Sequence, residues 1–183
     1  MNIEQNFKYL GKCDIQFIKD KLLEIDQDIW KEHSYRQEQY GPHRNTESIE
    51  LMWDKESLTE IREAKKNKHF DTFEIQKLFD MLKDIYVLEY GDGYFARALL
   101  VRLKANKDIK MHKDGGISLS SCHRTHIPII TNSKVTFHVG GENKNLGEGE
   151  IWEINNMATH AVFNQSDTDR IHLIIDYFLK NDN

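Results

Sequence analysis

Near residue 86 the hydrophobic repeat of this chain changes from helical spacing to strict alternation, and that change restricts its fold more than any other feature. Beyond it, short alternating segments at 95–103, 108–112, 123–131, 134–139, 149–154, 160–164 and 170–178 read as strands. Turn signals at Asp92-Gly93, Gly115-Gly116, Gly140-Gly141 and Gly147 to Gly149 punctuate them. No amphipathic helices are interleaved, so a parallel sheet is excluded and an antiparallel sandwich or barrel is expected. Ser48 to Trp53 alternates as one more half-buried strand and brings the count to that of a jelly roll.

The first half reads as helical. Asp14 is placed to cap a helix running to about Trp30, with Ile15, Ile18, Leu22, Ile25 and Ile29 on one stripe. Ser57-x-x-Glu60 and Asp71-x-x-Glu74 have the capping-box pattern, the second opening a helix with Ile75, Leu78, Phe79, Leu82 and Ile85 on one face. The expected architecture is mainly β: a jelly roll with the N-terminal helices packed outside one sheet. The 183 residues suffice for one domain, residues 1–183, with a helical part at 1–85 carrying the added strand and a β core at 86–183.

A net charge of −5 and a pI near 6.0, with no run of Lys or Arg, argue against a nucleic-acid partner. Nothing approaches the length of a membrane span, and Met1 to Cys13 holds no apolar run of signal-peptide length. Cys13 and Cys122 match no metal or redox spacing and are expected as free thiols, which makes the cytoplasm the expected location.

His112-Lys113-Asp114 lies at the end of a strand-like segment, just before Gly115-Gly116. His-x-acid alone is a weak signal, because nine His and 30 acidic residues in 183 give roughly 1.5 such pairs by chance. The second instance, His69-Phe70-Asp71, has an ordinary explanation in helix capping by Asp71. In an extended segment, however, residues i and i+2 share a face, so His112 and Asp114 can meet one metal with Lys113 turned away. A third ligand is available in His160, which opens the strand His160-Ala161-Val162-Phe163-Asn164. Two imidazoles and one carboxylate on a β scaffold are the ligand set of a non-haem Fe(II) that activates O₂.

Two arginines sharpen the pattern. Arg170 opens the last strand, on the face shared by His172, Ile174 and Asp176, and a buried guanidinium needs an anion. Asp176 is one candidate, and the carboxylate of a cosubstrate held bidentately is the other. Arg124, His126 and Pro128 share a face of another strand, and Ile127 and Ile129 suit the opposite face against helices, which points Arg124 and His126 inward.

These residues resemble the aspartyl/asparaginyl β-hydroxylase family of Fe(II)- and 2-oxoglutarate-dependent dioxygenases. The resemblance is carried by His112-x-Asp114, Arg124 to Ile129, Gly149 to Asn156, His160 and Arg170 to Asp176. It is looser back to about Ser48 and faint in the N-terminal helix. It implies a double-stranded β-helix of the cupin kind, with Fe(II) on His112, Asp114 and His160. It also implies that 2-oxoglutarate has its distal carboxylate on Arg170, and that Arg124 and His126 line the cosubstrate pocket. O₂ is the co-reactant. Some animal members that act on protein domains lack the carboxylate ligand and carry a long helical-repeat region. This chain keeps Asp114 and shows no such repeat, so a small molecule or short peptide bearing a carboxylate is the expected substrate, an amino acid or an Asp/Asn-type residue.

Arg36, His43, Arg44 and Trp53, which precede or lie on the added strand, are the candidates for substrate contact. Asp114 counts against a halogenase, in which halide replaces the carboxylate. The alternative from another class is a cupin-like module that binds metal and a small acid without turnover.

Overall fold

The structure is a computed structural model and describes residues 3–180. Its strands are β1 (Phe7–Lys12), β2 (Thr46–Met52), β3 (Gly93–Leu103), β4 (Lys107–His112), β5 (His123–Ile130), β6 (Val135–Val139), β7 (Glu142–Lys144), β8 (Glu150–Ile154), β9 (His160–Asn164) and β10 (Arg170–Leu179). Its α-helices are α1 (Gln16–Glu24), α2 (Tyr35–Gln39), α3 (His69–Thr72), α4 (Ile75–Tyr90) and α5 (Ile117–Ser121). Six strands form one antiparallel sheet in the order β1-β8-β5-β10-β3-β2, and four form a second in the order β4-β9-β6-β7. This is the expected jelly roll.

Strand alternation places two cores on opposite faces of the larger sheet. Ile127, Ile129, Leu173 and Ile175 point outward and pack with Ile18, Leu22, Leu78 and Leu82 of α1 and α4. The inner face meets the smaller sheet through Leu103, Ile109, Val135, Phe137 and Val162. The larger sheet is therefore covered on both sides, which is why β2 is buried almost throughout rather than half-buried. The outer face also takes a polar cluster. His123 Nδ1 lies 2.8 Å from Glu153 Oε1, and Tyr90 Oη donates to Glu153 Oε2 at 2.6 Å.

The helical half departs from the sequence reading in its boundaries. The first helix stops at Glu24, because Asp26 caps a separate 3₁₀ turn at Gln27–Lys31 by accepting from the Asp28 N–H at 3.0 Å. Asp14 does accept from the Gln16 N–H at 2.9 Å. Ser57 opens no capping box. It lies in a 3₁₀ turn at Glu56–Leu58, where its N–H and hydroxyl both turn back to Asp54. Asp71 lies inside α3 rather than capping, and α4 starts after Glu74, whose backbone is left-handed. Alternation begins after Gly91, not at residue 86, because α4 runs to Tyr90 and ends on the positive φ of Gly91. β1, β7, α2 and α5 were not anticipated. Gly140 and Gly141, both at positive φ, make the two-residue turn that joins β6 to the short β7.

Cys13 and Cys122 are free thiols. Among the described residues, no helix is long and apolar enough to cross a membrane. The domain expectation for residues 1–183 includes 1–2 and 181–183, which lie outside the described residues.

Candidate active site

His112 ends β4 and His160 begins the adjacent β9, and the two are register partners across a bulge in the pairing. Their ring centroids are 4.2 Å apart. Each Nε2 lies 3.9 Å from Oδ1 of Asp114, and ligand atoms of all three residues fall within 4.8 Å of one another. The other ring nitrogens fix the tautomers. His112 Nδ1 is 2.7 Å from the Lys110 carbonyl oxygen and His160 Nδ1 is 3.0 Å from that of Ala158. A carbonyl can only accept, so both Nδ1 atoms carry the proton and both Nε2 lone pairs face Asp114. Burial holds the His160 pKa below its ordinary value, which keeps the ring neutral.

The second oxygen of Asp114 is taken. Oδ2 accepts from Arg124 Nη1 at 2.6 Å and from Asn156 Nδ2 at 3.3 Å, and the Asp114 N–H donates to the Asn156 carbonyl at 3.1 Å. Burial alone would raise the Asp114 pKa, but the Arg124 guanidinium beside it outweighs burial and lowers it. Two imidazole nitrogens and one carboxylate oxygen, converging without a fourth ligand among the described residues, fit a divalent metal with open positions.

Behind this set is a buried ion trio. Asp176 accepts from Arg124 Nε at 2.8 Å and Nη2 at 2.8 Å, and from Arg97 Nε at 2.6 Å. Arg97 and Asp176 are each only 1% exposed. Arg97 Nη1 also donates to Ser118 Oγ at 2.7 Å and to the Ser57 carbonyl, tying α5 and the 3₁₀ turn to the core. Burial works against ionisation of Asp176, yet the two guanidinium groups push its pKa far below the usual carboxylate range.

Asp176 is therefore unavailable to Arg170, and the partner question left open by the sequence is decided against it. Arg170, 1% exposed, donates Nη2 to Nδ1 of His172 and lies over the Phe137 ring, with its carbon centre 5.8 Å from the centroid. Among the described residues its Nε has no partner, nor do His126 Nδ1 and His172 Nε2. Burial lowers the Arg170 pKa to about 9, and burial with the nearby arginines keeps His126 and His172 neutral. Buried polar atoms left without partners mark the place of a polar ligand. A small cavity of about 30 Å³ joins Arg170 and His126 to His112, Asp114 and His160. These unpartnered donors suit an anionic group such as a carboxylate.

A larger cavity of about 390 Å³ adjoins the small one and shares Arg36, His43, His112, Asp114 and Arg124 with it. Arg36, His43 and Trp53 line it, whereas Arg44 is exposed and does not. The His43 ring stands edge-on to His112 with centroids 5.1 Å apart. Arg36 Nη1 is buried without a partner among the described residues, and burial lowers the Arg36 pKa to about 10.

The sequence profile of the aspartyl/asparaginyl β-hydroxylases matches residues 13–179. The chain belongs to that family. The match starts at Cys13 and so takes in the N-terminal helix, where the motifs are faint. No curated protein matches the chain. Among solved structures, an oxidoreductase of the 2OG-Fe(II) oxygenase family from Burkholderia pseudomallei is similar over 76% of this chain and 71% of its own, with 15% identity and a TM-score of 0.59. A prolyl-4-hydroxylase from Pseudomonas putida is similar over 97% and 95%, at 9% identity and a TM-score of 0.59. The viral collagen prolyl hydroxylase of Paramecium bursaria Chlorella virus-1, in its 2OG complex, is similar over 97% and 98%, at 10% identity and a TM-score of 0.56. At these identities the likeness is one of fold.

Two residues of this β-hydroxylase family site escaped the sequence reading. Arg97 is the one charge between Phe95 and Val101 in an apolar strand, a signal of an inward-facing ion pair that was available. Asn156 follows β8 in a loop, and nothing in its sequence context distinguishes it from the neighbouring Asn155, which accepts from the Ala158 N–H at 3.1 Å.

Proposed function

We propose that this hydroxylase binds Fe(II) on His112, Asp114 and His160, takes 2-oxoglutarate against Arg170, and hydroxylates a small molecule or short peptide segment bearing a carboxylate. The observation that carries this reading is the unpartnered, fully buried guanidinium nitrogen of Arg170 beside the three converging ligands. A bound Fe(II) with 2-oxoglutarate supplies the oxidation: one atom of O₂ goes into a substrate C–H bond and the other into succinate, with loss of CO₂.

The chain's own residues do the rest. Arg170 orients the cosubstrate by a planar, charge-assisted grip on its distal carboxylate. Neutral His126 presents Nδ1 to the same small cavity without adding charge to it. Arg124 and Asn156 hold Asp114 so that Oδ1 alone faces the histidines. Arg36 offers a buried cation to a substrate carboxylate, and Trp53 and Leu99 exclude water from the cavity wall.

The test is succinate formation from 2-oxoglutarate by the Fe(II)-loaded protein, screened over small carboxylates and short Asp/Asn peptides. His112→Ala is expected to abolish it. Metal uptake with no succinate formed under any condition would sink the assignment and leave a binding module.

A further inference from the structure

Arg36, Arg97, Lys113 and Arg124 line the larger cavity, with Asp114 as its one carboxylate. Most of that charge is already committed. Arg97 and Arg124 share Asp176, and Arg124 also holds Asp114. Asp114 in turn divides its two oxygens between the histidines and Arg124 with Asn156. Lys113 is exposed. Arg36 is left. Among the described residues its guanidinium makes no hydrogen bond or ion pair, and Nη1 is buried. The remaining wall is largely apolar: Pro42, Trp53, Leu58, Leu99, Leu119 and Ile174.

This wall discriminates among carboxylates. An acid entering against Arg36 gains a charge-assisted bond at a site that excludes water. An ammonium entering with it finds no free carboxylate on the wall, loses its hydration, and lies close to Arg36 and Arg124. The apolar side chains favour a hydrocarbon body, and Tyr40, Thr59 and His43, whose Nδ1 is buried without a partner among the described residues, can take a neutral polar group such as an amide. We infer that the substrate is an apolar carboxylate with no ammonium beside its carboxylate, as in an N-acylated amino acid or a simple aliphatic or aromatic acid, and not a free amino acid. This rests on the proposed function and narrows its substrate class.

Three ligands with one carbon skeleton test it: hexanoate, norleucine and N-acetylnorleucine. Each is titrated calorimetrically into the anaerobic enzyme loaded with Fe(II) and 2-oxoglutarate, after the metal-to-ligand absorption band has reported cosubstrate binding. Hexanoate or N-acetylnorleucine is expected to bind at least tenfold more tightly than norleucine, and whichever binds tighter identifies the source. Arg36 also borders the smaller cavity, so Arg36→Gln is expected to remove at least tenfold of that affinity and to change the affinity for 2-oxoglutarate by less. Arg36→Lys should recover part of it. Norleucine binding as tightly as the other two, an Arg36→Gln variant that binds them unchanged, or no binding of either acid would each overturn the inference. An absent absorption band would instead count against the proposed function. The same titrations on the metal-free protein then still report on Arg36.

Discussion

Arg124 holds the Asp114 oxygen that does not face the histidines, with Nη1 at 2.6 Å from Oδ2, while Oδ1 lies 3.9 Å from both His112 Nε2 and His160 Nε2. The guanidinium thereby selects which lone pair a metal meets. Outer partners of this kind typically contribute 10–100-fold to metal affinity. Arg124→Gln is expected to weaken Fe(II) or Co(II) binding by about tenfold or more. Titration of the metal-free protein, read by the Co(II) absorption, checks this, and unchanged affinity would show that Arg124 serves only Asp176.

Arg170 acts on the other ligand. Each charge-assisted hydrogen bond to a carboxylate contributes roughly 1.5–3 kcal/mol. Arg170→Ala is expected to weaken 2-oxoglutarate binding at least about tenfold and to leave Fe(II) binding nearly intact. Arg170→Lys should restore a part, because an ammonium lacks the planar fork. Anaerobic titration followed by the metal-to-ligand band separates the two affinities. Equal affinity in the Ala variant would take the role from Arg170 and leave Arg36, the unpartnered guanidinium on the same cavity, as the candidate.

Asp176→Asn strips the counter-ion from two buried guanidinium groups at once. Losing one partner of a buried ion pair costs about 3–5 kcal/mol, and a loss of that size in urea denaturation is expected. A loss below about 1 kcal/mol would mean that water or Asp114 replaces it.

Acid should destabilise the fold in two stages. His126 and His172 have folded pKa values well below the ordinary 6.5, through burial first. Above pH 6.5 neither state takes up their protons and stability is unaffected. Below it the unfolded chain binds protons that the folded chain refuses, so stability falls with pH by up to about 1.4 kcal/mol per unit for each ring. Asp176 is also depressed, so its contribution is complete above about pH 4 and is lost as pH falls further. Denaturation midpoints measured from pH 8 to 3.5 should bend downward near 6.5 and steepen near 4. A flat profile between 6.5 and 4 would contradict the neutral assignment of the two histidines.

The helices and the β core share one hydrophobic cluster, in which Leu78 and Leu82 pack with Leu173 and Ile175. We propose that the chain unfolds as a single domain. Far-ultraviolet and near-ultraviolet signals should then give coincident transitions. Two separated transitions would divide the helical part from the β core.

What the sequence disclosed and concealed follows from the range of each interaction. Strand alternation placed Arg124, His126, His160 and Arg170 on the inner face, because side-chain direction in a strand is a local property. The pairing of Asp176 with Arg97 and Arg124 depends on three strands distant in sequence, and no local pattern separates it from a pairing with Arg170. Helix ends were misplaced where a short polar residue captured the backbone, as Asp26 does in ending the stripe that continues through Ile25 and Ile29. The short α5 follows Gly116, whose φ of 92° marks a turn but gives no sign of the helix after it.

The buried trio has a bearing on folding that is separate from the reaction. Asp176 is the register partner of Arg97 on β3 and of Arg124 on β5. Sliding β10 by one residue would bring Ile175 or Tyr177 between the two arginines and turn Asp176 out among the leucines under α4. Two uncompensated cations and one uncompensated anion would then be buried together, a penalty that a slipped apolar strand would not incur. The charges at the heart of the site thus act as a key that only one alignment of the three central strands can turn. Substitutions there should be judged for mispaired chains in the refolded product as well as for lost turnover.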